Sequence, residues 1–167
     1  MSEGTLEYLV SKAGEVWNKL PHGGCVSPEE AKSSVQSYTD ETIANTAGFN
    51  AFNEAFLKQD IDAIMANMTD DPVFEAPFFQ PNGICFKGVL LVRLAWELTF
   101  KVGITFEVQE SFSTGDRGVV RWNASAQVDG KKQTLSGCDV FYLKGGKVAA
   151  KLTYSKTDNF FGVKIPA

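Results

Sequence analysis

The sequence predicts an α+β protein, and three observations support that prediction. Apolar residues recur at helical spacing in several segments of the first hundred residues, whereas from Ile104 onward they alternate with period two. Gly-containing turns separate the alternating stretches, at Asp129-Gly130 and at Gly145-Gly146. Helices followed by a meander of long strands are typical of α+β folds rather than of parallel βαβ sheets.

The helices are justified by apolar spacing and by their end signals. An amphipathic first helix ends at the linker Pro21-His22-Gly23-Gly24. Ser27 as N-cap and Pro28 at the first helical position predict the start of a second helix. The predicted helices occupy residues 5–20, 27–59, 60–68 and 89–100.

The strands are justified by alternation between turns. Asp71-Pro72 marks the boundary before the first short strand, and Pro81-Asn82-Gly83 forms the turn after it. The predicted strands occupy residues 73–76, 84–86, 104–113, 118–128, 132–143 and 147–156. The long strands of the second half therefore predict an antiparallel sheet.

Composition restricts the classes of partner. The chain has 167 residues, a net charge of −4 and no cluster of Lys or Arg, so we expect neither nucleic acid nor a membrane as a partner. No apolar run reaches the roughly 18 residues of a membrane span and no signal segment is recognisable, which predicts a cytoplasmic protein. Cys25, Cys85 and Cys138 are far apart and predict free thiols. With His22 the only histidine, we expect no metal site and no cofactor.

Several local phrases resemble a known group when they are taken in order. The phrases are Phe52-Asn53-Glu54-Ala55-Phe56, Asp60-Ile61-Asp62-Ala63-Ile64, Asp71-Pro72-Val73-Phe74, Phe86-Lys87-Gly88, Gly115 to Trp122, Gly137 to Phe141, and Gly146-Lys147-Val148. Residues 47–157 resemble the nuclear-transport-factor-2-like superfamily, specifically its SnoaL-like branch. The resemblance implies a cone: a curved antiparallel sheet around about three helices, with a pocket at the open end. We therefore expect residues 41–167 to form the cone domain and residues 1–40 to form an N-terminal helical extension.

Two catalytic patterns of that group are incomplete in this sequence. In the ketosteroid isomerase pattern, the tyrosine donor falls on Phe52 and the general-base aspartate falls on Ala76, while the oxyanion-hole aspartate falls on Asp139. The limonene-epoxide hydrolase pattern matches at Arg121, but its neighbouring aspartate is Asn123 here. The resemblance therefore implies neither of these two chemistries.

The polyketide cyclase pattern keeps its acid and makes Asp139 the leading candidate. Asp139 lies in an apolar strand, where a carboxylate must be paired, protonated or facing a cavity. We predict Asp139 and Arg121 as catalytic residues, and the alternative is that Arg121 is only the counter-ion of Asp139. The predicted substrate-binding residues are Asn123, Phe52, Phe74, Ala76, Trp96 and Tyr154.

Alternation on the strand 118–128 divides it into two faces. Arg121, Asn123 and Ser125 share one face, which we predict to line the pocket. The opposite face carries Val120, Trp122, Ala124 and Ala126 and would be the outer side of the sheet. An apolar outer face predicts a homodimer through the sheet, or a cover made by the helix at 5–20.

Two functions remain open from the sequence. The first is a cofactor-independent cyclase, isomerase or lyase that acts on a small apolar carbonyl-bearing metabolite in the cone-shaped pocket, with Asp139 shuttling a proton. The alternative is a non-catalytic module for hydrophobic-ligand binding or self-association. An enzyme predicts an open pocket with Asp139 accessible to solvent, whereas the module predicts a pocket filled by Phe side chains and a closed Asp139–Arg121 ion pair.

Overall fold

A computed structural model describes residues 28–77, 83–128 and 130–156. The elements are helices α1 (Pro28–Leu57) and α2 (Ile61–Ala66), strands β1 (Met68–Ala76) and β2 (Ile84–Lys87), helix α3 (Val89–Lys101), and strands β3 (Thr105–Thr114), β4 (Arg117–Val128), β5 (Lys131–Lys144) and β6 (Lys147–Ser155). Contacts divide the chain into residues 1–40 and 41–167, and the sheet lies in the second unit. That residues 1–40 form a helical extension stays a prediction. No helix within the described ranges is long and apolar enough to cross a membrane.

The six strands form one sheet in the order β2-β1-β6-β5-β4-β3. β1 and β6 are parallel, and the other neighbouring strands are antiparallel. β2 and β3 are the two edges, so the curved sheet does not close into a barrel. The predicted α+β class, with a curved sheet around helices, is confirmed.

Most predicted elements lie within a few residues of the observed ones, and β1 is the main exception. It begins at Met68, five residues before the predicted strand. Its register with β6 shifts between Met68 and Val73, and Pro72 lies inside this irregular stretch. Proline lacks an N–H and is tolerated in a strand where the ladder is interrupted. The predicted helix at 5–20 and the Ser27 cap lie outside the described residues.

Phenylalanines from α1 fill the concave side of the sheet. Phe49, Phe52 and Phe56 recur every three or four residues and are at most 7% exposed. The Phe141 ring of β5 packs edge-on against Phe49 and Phe52, with centroids 5.1 and 5.6 Å apart. α3 adds Trp96, which is fully buried. Each such side chain contributes about 1.5–3 kcal/mol of hydrophobic stabilisation, so the interior of the cone is mainly an aromatic core.

One buried amide holds α1 against two turns of the sheet. Asn45, which is 1% exposed, donates from Nδ2 to the Gly115 carbonyl at 3.2 Å. Its Oδ1 accepts the Gly146 N–H at 2.9 Å. A Cβ on Gly48 would collide with the Gly146 carbonyl, so this glycine permits the close approach. The β3–β4 and β5–β6 turns are therefore fixed relative to the same helix.

The β5–β6 hairpin contains a bulge that decides which side chains of β6 face the core. Leu143 pairs with Val148, but Tyr142 pairs with Ala150, which leaves Ala149 as the extra residue. Because a one-residue shift exchanges the two faces of a strand, the residues beyond the bulge change sides. The bulge thereby turns Lys151 toward the concave side.

Candidate functional site

Three polar side chains from β5 and β6 form a buried cluster on the concave side of the sheet. Asp139 and Thr153 are directly opposite each other in the ladder, and Lys151 lies two residues before Thr153 on the same face. The Lys151 Nζ is 2.9 Å from Asp139 Oδ1 and donates to Thr153 Oγ1 at 2.9 Å. Thr153 Oγ1 donates to Asp139 Oδ1 at 2.8 Å. The side chains of Lys151 and Asp139 are 4% and 5% exposed, so the ion pair is almost completely removed from water.

Aromatic rings surround the Lys151 amine on its other sides. The distances from Nζ to the ring centroids are 5.2 Å for Phe56, 5.2 Å for Phe74, 5.6 Å for Trp96 and 5.9 Å for Phe141. A cation within about 6 Å of a ring centroid is attracted by the electrons of the ring face. The four rings therefore offset part of the cost of burying the charge.

Burial lowers the pKa of the Lys151 amine below its ordinary value of 10.5. The cause is loss of hydration, which disfavours the charged form. The charge of Asp139 and its hydrogen bond act in the opposite direction but are smaller effects. Lys151 is therefore more readily deprotonated than a lysine on the surface.

A small cavity lies beside this cluster. Its volume is about 20 Å³, and Lys151 and Thr153 line it together with aromatic side chains. A cavity of this size holds about one water molecule. Trp96 and Trp122 also line it, and their indole Nε1 atoms are buried without a hydrogen-bond partner among the described residues. The cavity thus combines a buried amine, a hydroxyl group and two tryptophans whose N–H groups have no acceptor among the residues that the structure describes.

Several predicted site residues lie at or behind this cavity. Asp139 belongs to the polar cluster, and Phe74 and Trp96 line the cavity. Phe52 is fully buried one layer behind, with its ring centroid 6.3 Å from that of Trp96. Ala76 is fully buried at the end of β1, where it pairs with Ile84. The catalytic and binding roles of these residues stay predictions.

The predicted orientation of β4 was wrong. Val120 and Trp122, which we expected on the outer side, are 4% and 2% exposed and face the core. Arg121 is on the outer side, with its Nε 3.4 Å from Glu110 Oε2, and both side chains are about 60% exposed. The reason is that the concave side is an aromatic core, which takes the apolar face of the strand. Arg121 therefore neither pairs with Asp139 nor lines the small cavity beside Lys151.

Asn123 and Tyr154 are also on the outer side. Asn123 is exposed and accepts a hydrogen bond from Ser136 Oγ at 2.9 Å, while Tyr154 is 52% exposed. Asn123 lines an open groove of about 720 Å³ with hydroxyl and charged side chains of β3 and β5. The described lining of this groove contains no buried titratable group. The small cavity beside Lys151 is therefore the better candidate for a functional site.

Sequence reasoning missed Lys151, Thr153 and Trp122. A two-residue Gly145-Gly146 turn without a bulge places Lys151 on the face opposite Asp139, so regular alternation hides the pair. The available signal was the lysine between the apolar residues Val148-Ala149-Ala150 and Leu152 of the last strand.

Comparisons with known proteins match this architecture. The family model described as the SnoaL-like domain matches residues 49–151. An NTF2-like protein of unknown function from Mesorhizobium loti aligns with a TM-score of 0.62 and 21% identity, over 71% of this chain and 95% of that chain. A candidate polyketide cyclase from Pseudomonas putida aligns with a TM-score of 0.57 and 18% identity, over 68% of this chain and 92% of that chain. A third structure is a protein with a ketosteroid isomerase-like fold from Catenulispora acidiphila, in complex with trimethylamine. It aligns with a TM-score of 0.54 and 11% identity, over 63% of this chain and 82% of that chain. At these identities the likeness is one of fold. No curated protein matches the sequence.

Proposed function

The chain belongs to the SnoaL-like family, and we propose that it binds a small apolar carbonyl compound beside Asp139, Lys151 and Thr153 and exchanges protons with it. The reaction class is cofactor-independent acid/base chemistry of the cyclase, isomerase or lyase type. The buried ion pair at the wall of the aromatic cavity is the observation that carries this proposal.

The energetic cost of the ion pair supports a functional role. Taking a carboxylate and an ammonium out of water costs several kcal/mol for each ion, and their attraction often does no more than offset that cost. An apolar core of similar volume would commonly be as stable or more stable. Titratable groups with strong desolvation and a specific charge partner are candidates for acid and base catalysis.

The two tryptophans support a ligand that carries an oxygen acceptor. A buried donor without a partner costs about 1–3 kcal/mol. A carbonyl oxygen in the cavity would be close to the side chains of Trp96 and Trp122 that line it. Donors near an oxygen that gains negative charge also stabilise an enolate, which is the intermediate of proton abstraction next to a carbonyl.

The size of the cavity limits the ligand. A volume of about 20 Å³ admits one water-sized group. The carbonyl group itself fits this space, and any longer apolar chain must displace the surrounding rings. We therefore propose a short aldehyde or ketone rather than a polycyclic substrate.

Exchange of hydrogen for deuterium tests this function without knowledge of the product. The protein is incubated in D₂O with acetaldehyde, acetone or cyclohexanone, and NMR follows loss of the hydrogens next to the carbonyl. We expect faster exchange with the unmodified chain than with Asp139→Asn or Lys151→Met. Arg121→Ala is the matched control, because it removes a charge from the outer side of the sheet. Equal exchange by the unmodified chain and by the two cluster variants contradicts the proposal.

Self-association through the outer side of the sheet is the second candidate function. The aromatic core on the concave side of the sheet and the closed ion pair match what a non-catalytic module predicts, except that the partner of Asp139 is Lys151. An apolar row also crosses four strands on the outer side, through Phe112, Val119, Val140 and Leu152. Phe112 is 54% exposed. This row, and not the face of Val120 that the sequence predicted, supports a homodimer.

Sedimentation of two matched variants tests the second function. Phe112→Ser changes the outer side of the sheet, whereas Leu94→Ser changes an apolar residue of α3 that is 46% exposed. We expect the unmodified chain and Leu94→Ser to sediment as dimers and Phe112→Ser as a monomer. A monomeric unmodified chain, or a dimer that Phe112→Ser leaves intact, excludes this interface.

A further inference from the structure

The Lys151 amine is placed as a nucleophile would be, at the wall of a small cavity lined mainly by aromatic rings. Its Nζ lies among four aromatic rings, and its polar contacts within the described part of the chain are Asp139 and Thr153. Such an amine has a proton acceptor at 2.9 Å and little water to compete for it. A desolvated lysine is a recognised way to obtain a neutral, nucleophilic amine in a protein.

We propose that Lys151 Nζ condenses with the carbonyl carbon of a small aldehyde or ketone to form a protonated imine. The proposal rests on the proposed function, since it takes the same ligand class and the same cavity. It adds a covalent step and assigns Lys151 as the residue that forms the bond.

The protons balance within the cluster. Lys151 transfers one proton to Asp139, and the neutral amine attacks the carbonyl carbon, so that a C–N bond forms and the carbonyl electron pair moves to oxygen. A proton then passes from nitrogen to that oxygen through the Thr153 hydroxyl, which gives a carbinolamine. Asp139 protonates the hydroxyl, water leaves, and the nitrogen lone pair forms the C=N bond. The products are a protonated imine, one water and an Asp139 carboxylate, and the step needs no oxidant or reductant.

The surroundings favour each stage of this step. Asp139 Oδ1 is within 3 Å of both Nζ and the Thr153 hydroxyl, so the proton path requires no water. Asp139 also remains beside the imine nitrogen as its counter-ion. The ring faces that attract the ammonium attract the protonated imine in the same way. A cavity of one water molecule leaves little room for the released water to return and hydrolyse the imine.

Reductive trapping on the full chain tests the proposal. The probe is acetaldehyde at low concentration with sodium cyanoborohydride, which converts an imine into a stable ethylamine. Peptide mass spectrometry then compares ethylation at Lys151 with ethylation at Lys144, which is exposed at the end of β5. We expect Lys151 to be ethylated several-fold faster. Because the two sites are compared in one unmodified chain, the result does not depend on the folding of a variant.

A titration of the same protein without reductant separates this proposal from the proposed function. It follows the fluorescence change of the buried tryptophans on addition of acetaldehyde. A saturable change with Lys151 unmodified after reduction excludes the imine and leaves the binding function intact. No saturable change and no ethylation at Lys151 removes both proposals. Thr153→Val gives a positional check: it keeps the amine and is expected to slow ethylation at Lys151 but not at Lys144.

Discussion

Removal of the whole polar cluster is expected to stabilise the fold, whereas removal of one member destabilises it. The perturbation is a set of three chains: Lys151→Met, Asp139→Leu, and the triple variant that combines both with Thr153→Val. At 2.9 Å and an effective dielectric constant of about 20, the attraction between the two charges is about 6 kcal/mol. Desolvation of two buried ions costs a similar amount, so the net contribution of the intact pair is small.

The single variants leave one charge buried without its partner. Each is expected to lower the free energy of unfolding by about 3–5 kcal/mol, a large share of the roughly 5–15 kcal/mol typical of a domain. The triple variant leaves neither a charge nor an unpaired hydroxyl. Its free energy of unfolding is expected to equal that of the unmodified chain or to exceed it by up to about 4 kcal/mol.

Urea unfolding, followed by circular dichroism and extrapolated to water, measures these differences. Either of two results refutes the reasoning. A loss below about 1 kcal/mol in Lys151→Met would mean that the pair is hydrated or neutral. A triple variant less stable than either single variant would mean that the cluster itself stabilises the fold. A stable triple variant without exchange activity would instead separate the function of the cluster from its effect on folding.

Three further predictions concern pH, packing and the outer side of the sheet. The pKa of Lys151 is lowered in the folded state, so between that pKa and 10.5 the unfolded chain binds one proton more than the folded chain. The free energy of unfolding should therefore rise with pH across this window. Urea unfolding at a series of pH values should show this rise in the unmodified chain and not in Lys151→Met. Gly137→Ala places a Cβ 2.5 Å from two ring carbons of Trp122 and 2.5 Å from the Tyr154 carbonyl oxygen, and should cost about 1–3 kcal/mol in urea unfolding. A change below about 0.5 kcal/mol would show that both the ring and the backbone of β6 move freely. Arg121→Ala breaks only an exposed ion pair and should change the free energy of unfolding by no more than about 0.5 kcal/mol, with a larger loss indicating a partner beyond Glu110.

The fold could be predicted because its signals are local and repeated. The period-two alternation after Ile104 and the two Gly-containing turns specify the long strands, and those strands lie within two residues of the predicted bounds. The start of β1 was missed because Asp71-Pro72 has the composition of a turn. These two residues lie inside the strand because β1 pairs with β6, about 80 residues later in the sequence.

The site was only partly predictable because it depends on which face of each strand points inward. Asp139 was found from its apolar neighbours, which report burial directly. Its partner was missed because the bulge at Ala149 reverses the expected facing of Lys151. The orientation of β4 was inverted because a polar face was taken to be the pocket. In this cone the aromatic residues of α1 and α3 occupy the interior, and the polar residues of β4 remain in water.

The parallel pairing of β1 with β6 also determines when the fold can be completed. The two strands are joined through Phe74 and Lys151, so the contact closes a loop of almost eighty residues. Long loops are slow to close, and contacts between distant parts of a chain lower folding rates. During synthesis, β1 and β2 emerge long before β6. Until β6 is available, the edge of β1 that pairs with it remains unpaired. We expect that edge to be the most aggregation-prone part of the nascent chain, and the core around the Lys151 amine to be enclosed only in the last step of folding.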